Sequence, residues 1–171
     1  MSRRIGSTVL LTLMLATLSW TSAWRHADAQ TAGDLAPLDV IRTSVDSIRE
    51  RPVRRRWKID VELWDLVGDH IGKLDRQAIL QIAPRLNDMT MSAAQMMGGQ
   101  ERKRWTANVE LWRRLDSHPS PLTRDDIKAM RASFEVLSTP VGDNAVPGDR
   151  ERWAANCALW RAALDSLSMQ H

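Results

Sequence analysis

Tyrosine is missing from this chain of 171 residues, and phenylalanine and cysteine occur once each, yet tryptophan occurs eight times. The lone cysteine, Cys157, excludes an internal disulfide even in an oxidising compartment. Net charge is also scarce: 24 basic against 21 acidic side chains leave +3. Much of that excess belongs to the N-terminus. Setting residues 1–29 aside removes Arg3, Arg4, Arg25 and Asp28 and leaves 21 basic against 20 acidic side chains. The high isoelectric point then reflects how few groups titrate between neutrality and the lysines, not a basic surface. Nucleic acid demands a basic face, so no nucleic-acid partner is expected. Glycine-rich phosphate loops, paired-cysteine zinc motifs, haem attachment motifs and serine nucleophile elbows are absent too. No catalytic residue and no cofactor is therefore assigned.

The first thirty residues read as a targeting segment. Arg3 and Arg4 are followed by an uncharged run from Ile5 to Trp24, most apolar between Val9 and Leu18. Ala27-Asp28-Ala29 then offers small residues at the two positions a signal peptidase reads. Residues 1–29 are thus expected to be a signal peptide, or a retained membrane anchor, since twenty uncharged residues just cross a bilayer. Seven Ser or Thr and one Gly in the run weigh against a permanent span. Either reading carries residues 30–171 across the membrane, to a periplasmic or secreted location. Membrane contact is expected only through this segment, if it stays attached.

What is abundant is periodic. The pattern Arg-x-Arg-Trp-x-x-(Asp/Asn)-x-x-Leu-Trp occurs three times, spaced by 48 residues, from Arg54 to Trp64, Arg102 to Trp112 and Arg150 to Trp160. All six tryptophans beyond the leader belong to it: Trp57, Trp64, Trp105, Trp112, Trp153 and Trp160. At 100° per residue the two Trp of each copy, seven apart, lie almost on one line along a helix. Val61, Val109 and Cys157 sit between them; Leu63, Leu111 and Leu159 widen the stripe; Val67, Leu115 and Leu164 extend it. Lys58, Glu62, Glu110 and Arg114 occupy the opposite face. Each copy is an amphipathic helix of about four to five turns.

A second apolar pattern alternates with the first. Leu74, Ile79, Ile82 and Leu86 correspond to Leu122, Ile127, Met130 and Phe134, and Leu38, Ile41, Val45 and Ile48 form an earlier copy. Asp75 and Thr123 are natural N-caps, and Thr123 with Asp126 has the spacing of a capping box. Leu74 with Ile79, and Leu122 with Ile127, have the spacing of hydrophobic staples. No stretch alternates as a half-buried strand does. The expected fold is all-α: three tandem hairpins over about 34–70, 74–118 and 122–169, each a shorter helix followed by a Trp helix. They stack as a short solenoid or compact bundle in a single domain, 30–171.

The six indoles are expected in the core. Burying one covers roughly 150–250 Å² and contributes about 4–6 kcal/mol at most. Asp60, Asn108 and Asn156 stand at the edge of the buried stripe, where a polar group needs a partner. An indole N–H or a backbone carbonyl of a neighbouring copy is the expected one, and the three residues are read as fixing the register between copies. The arginine pairs Arg54 and Arg56, Arg102 and Arg104, Arg150 and Arg152 open their helices, where the macrodipole disfavours positive charge. Two offsets are open. Arg56, Arg104 and Arg152 reach the polar residue four positions on or stack on a Trp face, or the pairs present anion or partner contacts.

Function is less legible than architecture. The leading expectation is an extracytoplasmic helical-repeat interaction module without a catalytic site, binding a protein partner in the cell envelope. An anionic polymer is an alternative ligand, and a retained anchor would make the chain an accessory subunit of an envelope complex. Connections 49–53, 90–100 and 138–148, which differ where the scaffold repeats, are the expected contact sites. A soft-metal reading rests on Met89, Met91, Met96 and Met97, whose thioethers suit Cu(I), with His70 and His118 recurring at the same period. An unrecognised hydrolase is the remaining alternative.

Overall fold

Six α-helices account for most of the described residues. The computed structural model describes residues 36–67, 76–96, 98–116, 122–142 and 145–169. The helices are α1 (Pro37–Val45), α2 (Arg51–Val67), α3 (Arg76–Ala94), α4 (Gly99–Asp116), α5 (Arg124–Leu137) and α6 (Asp149–Ser168). The all-α expectation holds, with no strand among the described residues. Residues 1–35, on which the leader reading falls, lie outside the described residues, as do Leu74, Asp75, His70 and His118. No described helix is long and apolar enough to cross a membrane.

The tryptophan stripes dictate the packing. In α2 the buried side chains include Trp57, Val61, Trp64 and Val67; in α4, Trp105, Val109, Trp112 and Leu115; in α6, Trp153, Trp160, Leu164 and Leu167. Each helix packs against the next in sequence, and α1 packs against α6, so the helices close into a ring. Of the two arrangements expected, stack or bundle, this is the compact one, because its first and last members touch. The backbones of α2, α4 and α6 do not approach one another. Large indoles fill the space between them, while α1, α3 and α5 wedge between the Trp helices on the outside.

Local signals position the elements. Thr123 caps α5: its hydroxyl accepts from Asp126 N–H at 3.2 Å, and Asp126 accepts from Thr123 N–H at 3.0 Å, a complete capping box. Leu122 and Ile127, the staple pair beside it, are both buried. Pro52 lies in the first turn of α2, where its missing N–H costs nothing. Gly148 precedes α6 with φ +79°, a left-handed conformation that L side chains resist.

The second helix pair departs from expectation. With 19 residues, α3 is longer than α4 with 18, so the leading helix is not the shorter one. It runs on through Thr90 to Ala94, which sequence reading assigns to a connection. Leu86, Met89 and Ala93 are buried at intervals of three and four, so the apolar stripe simply continues. Methionine and alanine are also good helix formers.

Candidate functional site

The six indoles form two triangles. Trp57, Trp105 and Trp153 meet pairwise with ring centroids 4.8–4.9 Å apart and planes inclined by 62–69°. Trp64, Trp112 and Trp160 repeat this at 4.7–4.8 Å and 62–66°. Near-equal distances and angles mean that corresponding positions of the three sequence copies surround one pseudo-threefold axis. Edge-to-face geometry sets the positive rim of one ring on the negative face of the next, adding about 0.5–1.5 kcal/mol per pair beyond burial.

Between the triangles lies a polar layer. Asp60, Asn108 and Asn156 are fully buried. Asn108 Nδ2 donates to Asp60 Oδ1 at 2.7 Å, and Asn156 Nδ2 donates to Asn108 Oδ1 at 3.3 Å. Trp112 Nε1 also donates to Asp60 Oδ1 at 3.0 Å, Trp160 Nε1 to Asn108 Oδ1 at 2.7 Å, and Trp64 Nε1 to Asn156 Oδ1 at 3.0 Å. Indoles only donate, so they fix which amide atom is oxygen. Every copy is bonded to another copy through this layer. Burial pushes the Asp60 carboxyl up to about 6 from its ordinary 3.8, against the hydrogen bonds from Asn108 and Trp112 that lower it. A shift of this kind often marks an active site, but Asp60 is fully buried between two layers of indole.

The arginine pairs split by depth. Arg56, Arg104 and Arg152 are buried, which takes three of the six candidates away from any partner. Arg56 lies over the Trp105 ring at 5.5 Å and Arg152 over Trp57 at 5.8 Å, cation–π contacts between copies. Arg152 pairs with Asp149 at 2.7 Å and donates to Pro147 O; Arg56 pairs with Glu101 at 3.5 Å. Arg104 donates to the carbonyls of Thr139, at 3.1 and 3.2 Å, and Pro140. Their partners are aromatic faces, acids and loop carbonyls, not the polar residue four positions on. Arg102 and Arg150 are exposed, Arg54 is half-buried, and Arg102 donates to Met96 O at 3.4 Å.

Arg54 opens onto a groove of about 770 Å³ between α2 and α3. Five cations line it (Arg51, Arg54, Arg55, Lys58 and Arg85) against two carboxylates, Glu62 and Asp88. Arg55 pairs with Asp88 at 2.9 Å and Arg85 with Glu62 at 3.2 Å, and Lys58 reaches outward to Asp46 at 3.0 Å. The guanidiniums of Arg51 and Arg54 have no partner among the described residues. Two connections expected to make contacts help to build the wall, through Arg51 and Pro52 from one and Met91, Ser92 and Gln95 from the other.

The groove between α4 and α5 occupies the equivalent place and is chemically different. There Lys58, Ile59, Arg85 and Asp88 are replaced, 48 residues on, by Thr106, Ala107, Ser133 and Val136. Its volume is about 550 Å³, and only Arg102 and Lys103 bring charge. One scaffold thus carries two unlike surfaces, the first richer in charge of both signs and the second with two cations among small and apolar side chains.

Among the described residues the candidate methionines do not converge. Met89 is fully buried beneath the polar layer, its Sδ 3.9 Å from Asn108 Nδ2, whereas Met91, two residues on, is 58% exposed. Met96 packs against the core, and Met97 lies outside the described residues. Cys157 is half-buried, and burial raises its thiol pKa, which disfavours the thiolate that reactivity requires. The α2–α3 groove was missed in sequence because its lining comes from two helices; the signal was the four cations at 51, 54, 55 and 58, against which only Glu50 and Glu62 stand at helical spacing. No family model matches the chain, and comparisons with curated proteins and with solved structures return no match.

Proposed function

We propose that this protein is a binding module that takes an acidic segment of a protein partner into the groove between α2 and α3. The observation that carries this reading is the pair of guanidiniums, Arg51 and Arg54, without a partner among the described residues, in a groove with five cations and two carboxylates. Guanidinium forks suit carboxylates, and a groove concentrates their field. The signal-like leader adds an address: the partner belongs to the cell envelope, and a retained anchor makes the module an accessory subunit there. An anionic polymer answers to the same charges and is separated by the test below.

The test uses Arg51→Glu with Arg54→Glu in the full chain. Both side chains lie outside the core, so the thermal unfolding midpoint should stay near the parent's while cross-linking to envelope proteins falls at least tenfold. The parent should also bind a poly-glutamate peptide, weakening as salt rises. Unchanged cross-linking by the double variant overturns the reading. Retention of acidic glycan with no protein cross-linked identifies the polymer instead.

A further inference from the structure

Asn108 does two things: its oxygen accepts from the indole and the amide of the third copy, and its Nδ2 donates onward to Asp60. The cycle runs from Asn156 to Asn108 and from Asn108 to Asp60, and there it stops. Asn156 Oδ1 accepts from Trp64 but from no amide, because position 60 carries a carboxyl group. Asp60 Oδ2 stands where Asn108 and Asn156 carry Nδ2, and it is buried without any hydrogen-bond partner. One donor is missing, at the one copy whose side chain can acquire a proton.

We propose that Asp60 is a proton-binding site that closes this ring: its carboxyl takes up a proton on Oδ2 and donates it to Asn156 Oδ1. The third bond of the cycle then forms and the orphaned oxygen gains a partner. On release of the proton the ring opens, and a negative charge remains between two triangles of indole.

No other charge competes for this role. The remaining buried ionisable groups among the described residues are Arg56, Arg104, Asp126, Asp149 and Arg152. Arg56, Arg104, Arg152 and Asp149 are engaged at the N-terminal ends of the Trp helices, with Glu101 and loop carbonyls, and Asp126 with Thr123 and Arg114. Toward the core α1 buries Ile41 and Val45, α3 buries Ile82, Leu86 and Met89, and α5 buries Ile127 and Met130. What perturbs Asp60 is burial, opposed by its hydrogen bonds, with no charged neighbour contributing.

The sign follows from linkage. The folded carboxyl titrates at about 6 and the free one at 3.8, so folding takes up a proton between those values. The contribution is fully present below about pH 4 and is lost as pH rises through about 6.

Asp60→Asn supplies the missing N–H permanently. In chemical denaturation of the full chain, the unfolding constant of the parent should rise relative to the variant's by about a hundredfold between pH 4 and pH 7.5. That is about tenfold in proton affinity for each pH unit separating the folded and unfolded midpoints. Comparing the two proteins cancels the carboxylates they share. A ratio independent of pH overturns the proposal. If the variant does not fold, 13C-detected titration of the parent decides: an Asp60 carboxyl midpoint above 5 supports the ring, and one at or below 4 sinks it.

Discussion

Asp60, Asn108 and Asn156 are nearly isosteric, and their shared position carries more specificity than any apolar neighbour. A leucine there would pack well but accept nothing from an indole. Asn108→Leu leaves Trp160 Nε1 and Asn156 Nδ2 as buried donors without acceptors, so we expect a loss of about 2–4 kcal/mol. Far-ultraviolet dichroism should persist while near-ultraviolet dichroism weakens, since the indoles lose their fixed orientation. A variant matching the parent in both the near-ultraviolet spectrum and the unfolding midpoint refutes the role. Sequence spacing placed these residues at the edge of the stripe and pointed to an indole N–H or a backbone carbonyl of a neighbouring copy. It could not show the cycle, because a cycle needs the third copy to meet the first, and that contact spans 92 residues between Trp64 and Asn156.

Helix ends carry the next layer of specification. A Cβ on Gly148 would stand 2.8 Å from Arg152 Nη1, on top of the strain of a left-handed φ. Gly98, at φ +78°, has nothing within 4 Å of the same position. We therefore expect Gly148→Ala to cost about 1–3 kcal/mol and Gly98→Ala clearly less, compared by thermal unfolding. Equal losses would show that the buried arginine is not displaced. Legibility at this scale was uneven. The cap and staple before α5 were plain because Thr123, Asp126, Leu122 and Ile127 are local to one turn. The reach of α3 was not, since four methionines within nine residues look like ligands as readily as like core, and only packing tells Met89 from Met91. The arginines divided for a similar reason. Spacing put both members of each pair at a helix start, but depth depends on which neighbour lies across the ring.

Across the whole molecule, the indole triangles tie all three copies together at two levels. An open stack, where each unit touches only its neighbours, can fray from one end. Here removal of any copy leaves two incomplete triangles. Tryptophan fluorescence and far-ultraviolet dichroism should therefore report one coincident unfolding transition. Resolved transitions, or an intermediate that keeps native emission while losing helix, would contradict this. The helical class and the copies were readable from the 48-residue period, whereas closure was not: the same amphipathic helices suit a ring or a stack, and α1 meeting α6 is a contact between opposite ends of the pattern.

Closure also sets an arithmetic limit. Three edge-to-face indoles fill the middle of a triangle, with each rim seated on a neighbour's face. Four would surround a square with an empty centre, and two would leave a face bare. Gene duplication lengthens an open array without disturbing its members. In this molecule it would unseat every tryptophan at once, so the size of one side chain holds the number of copies at three.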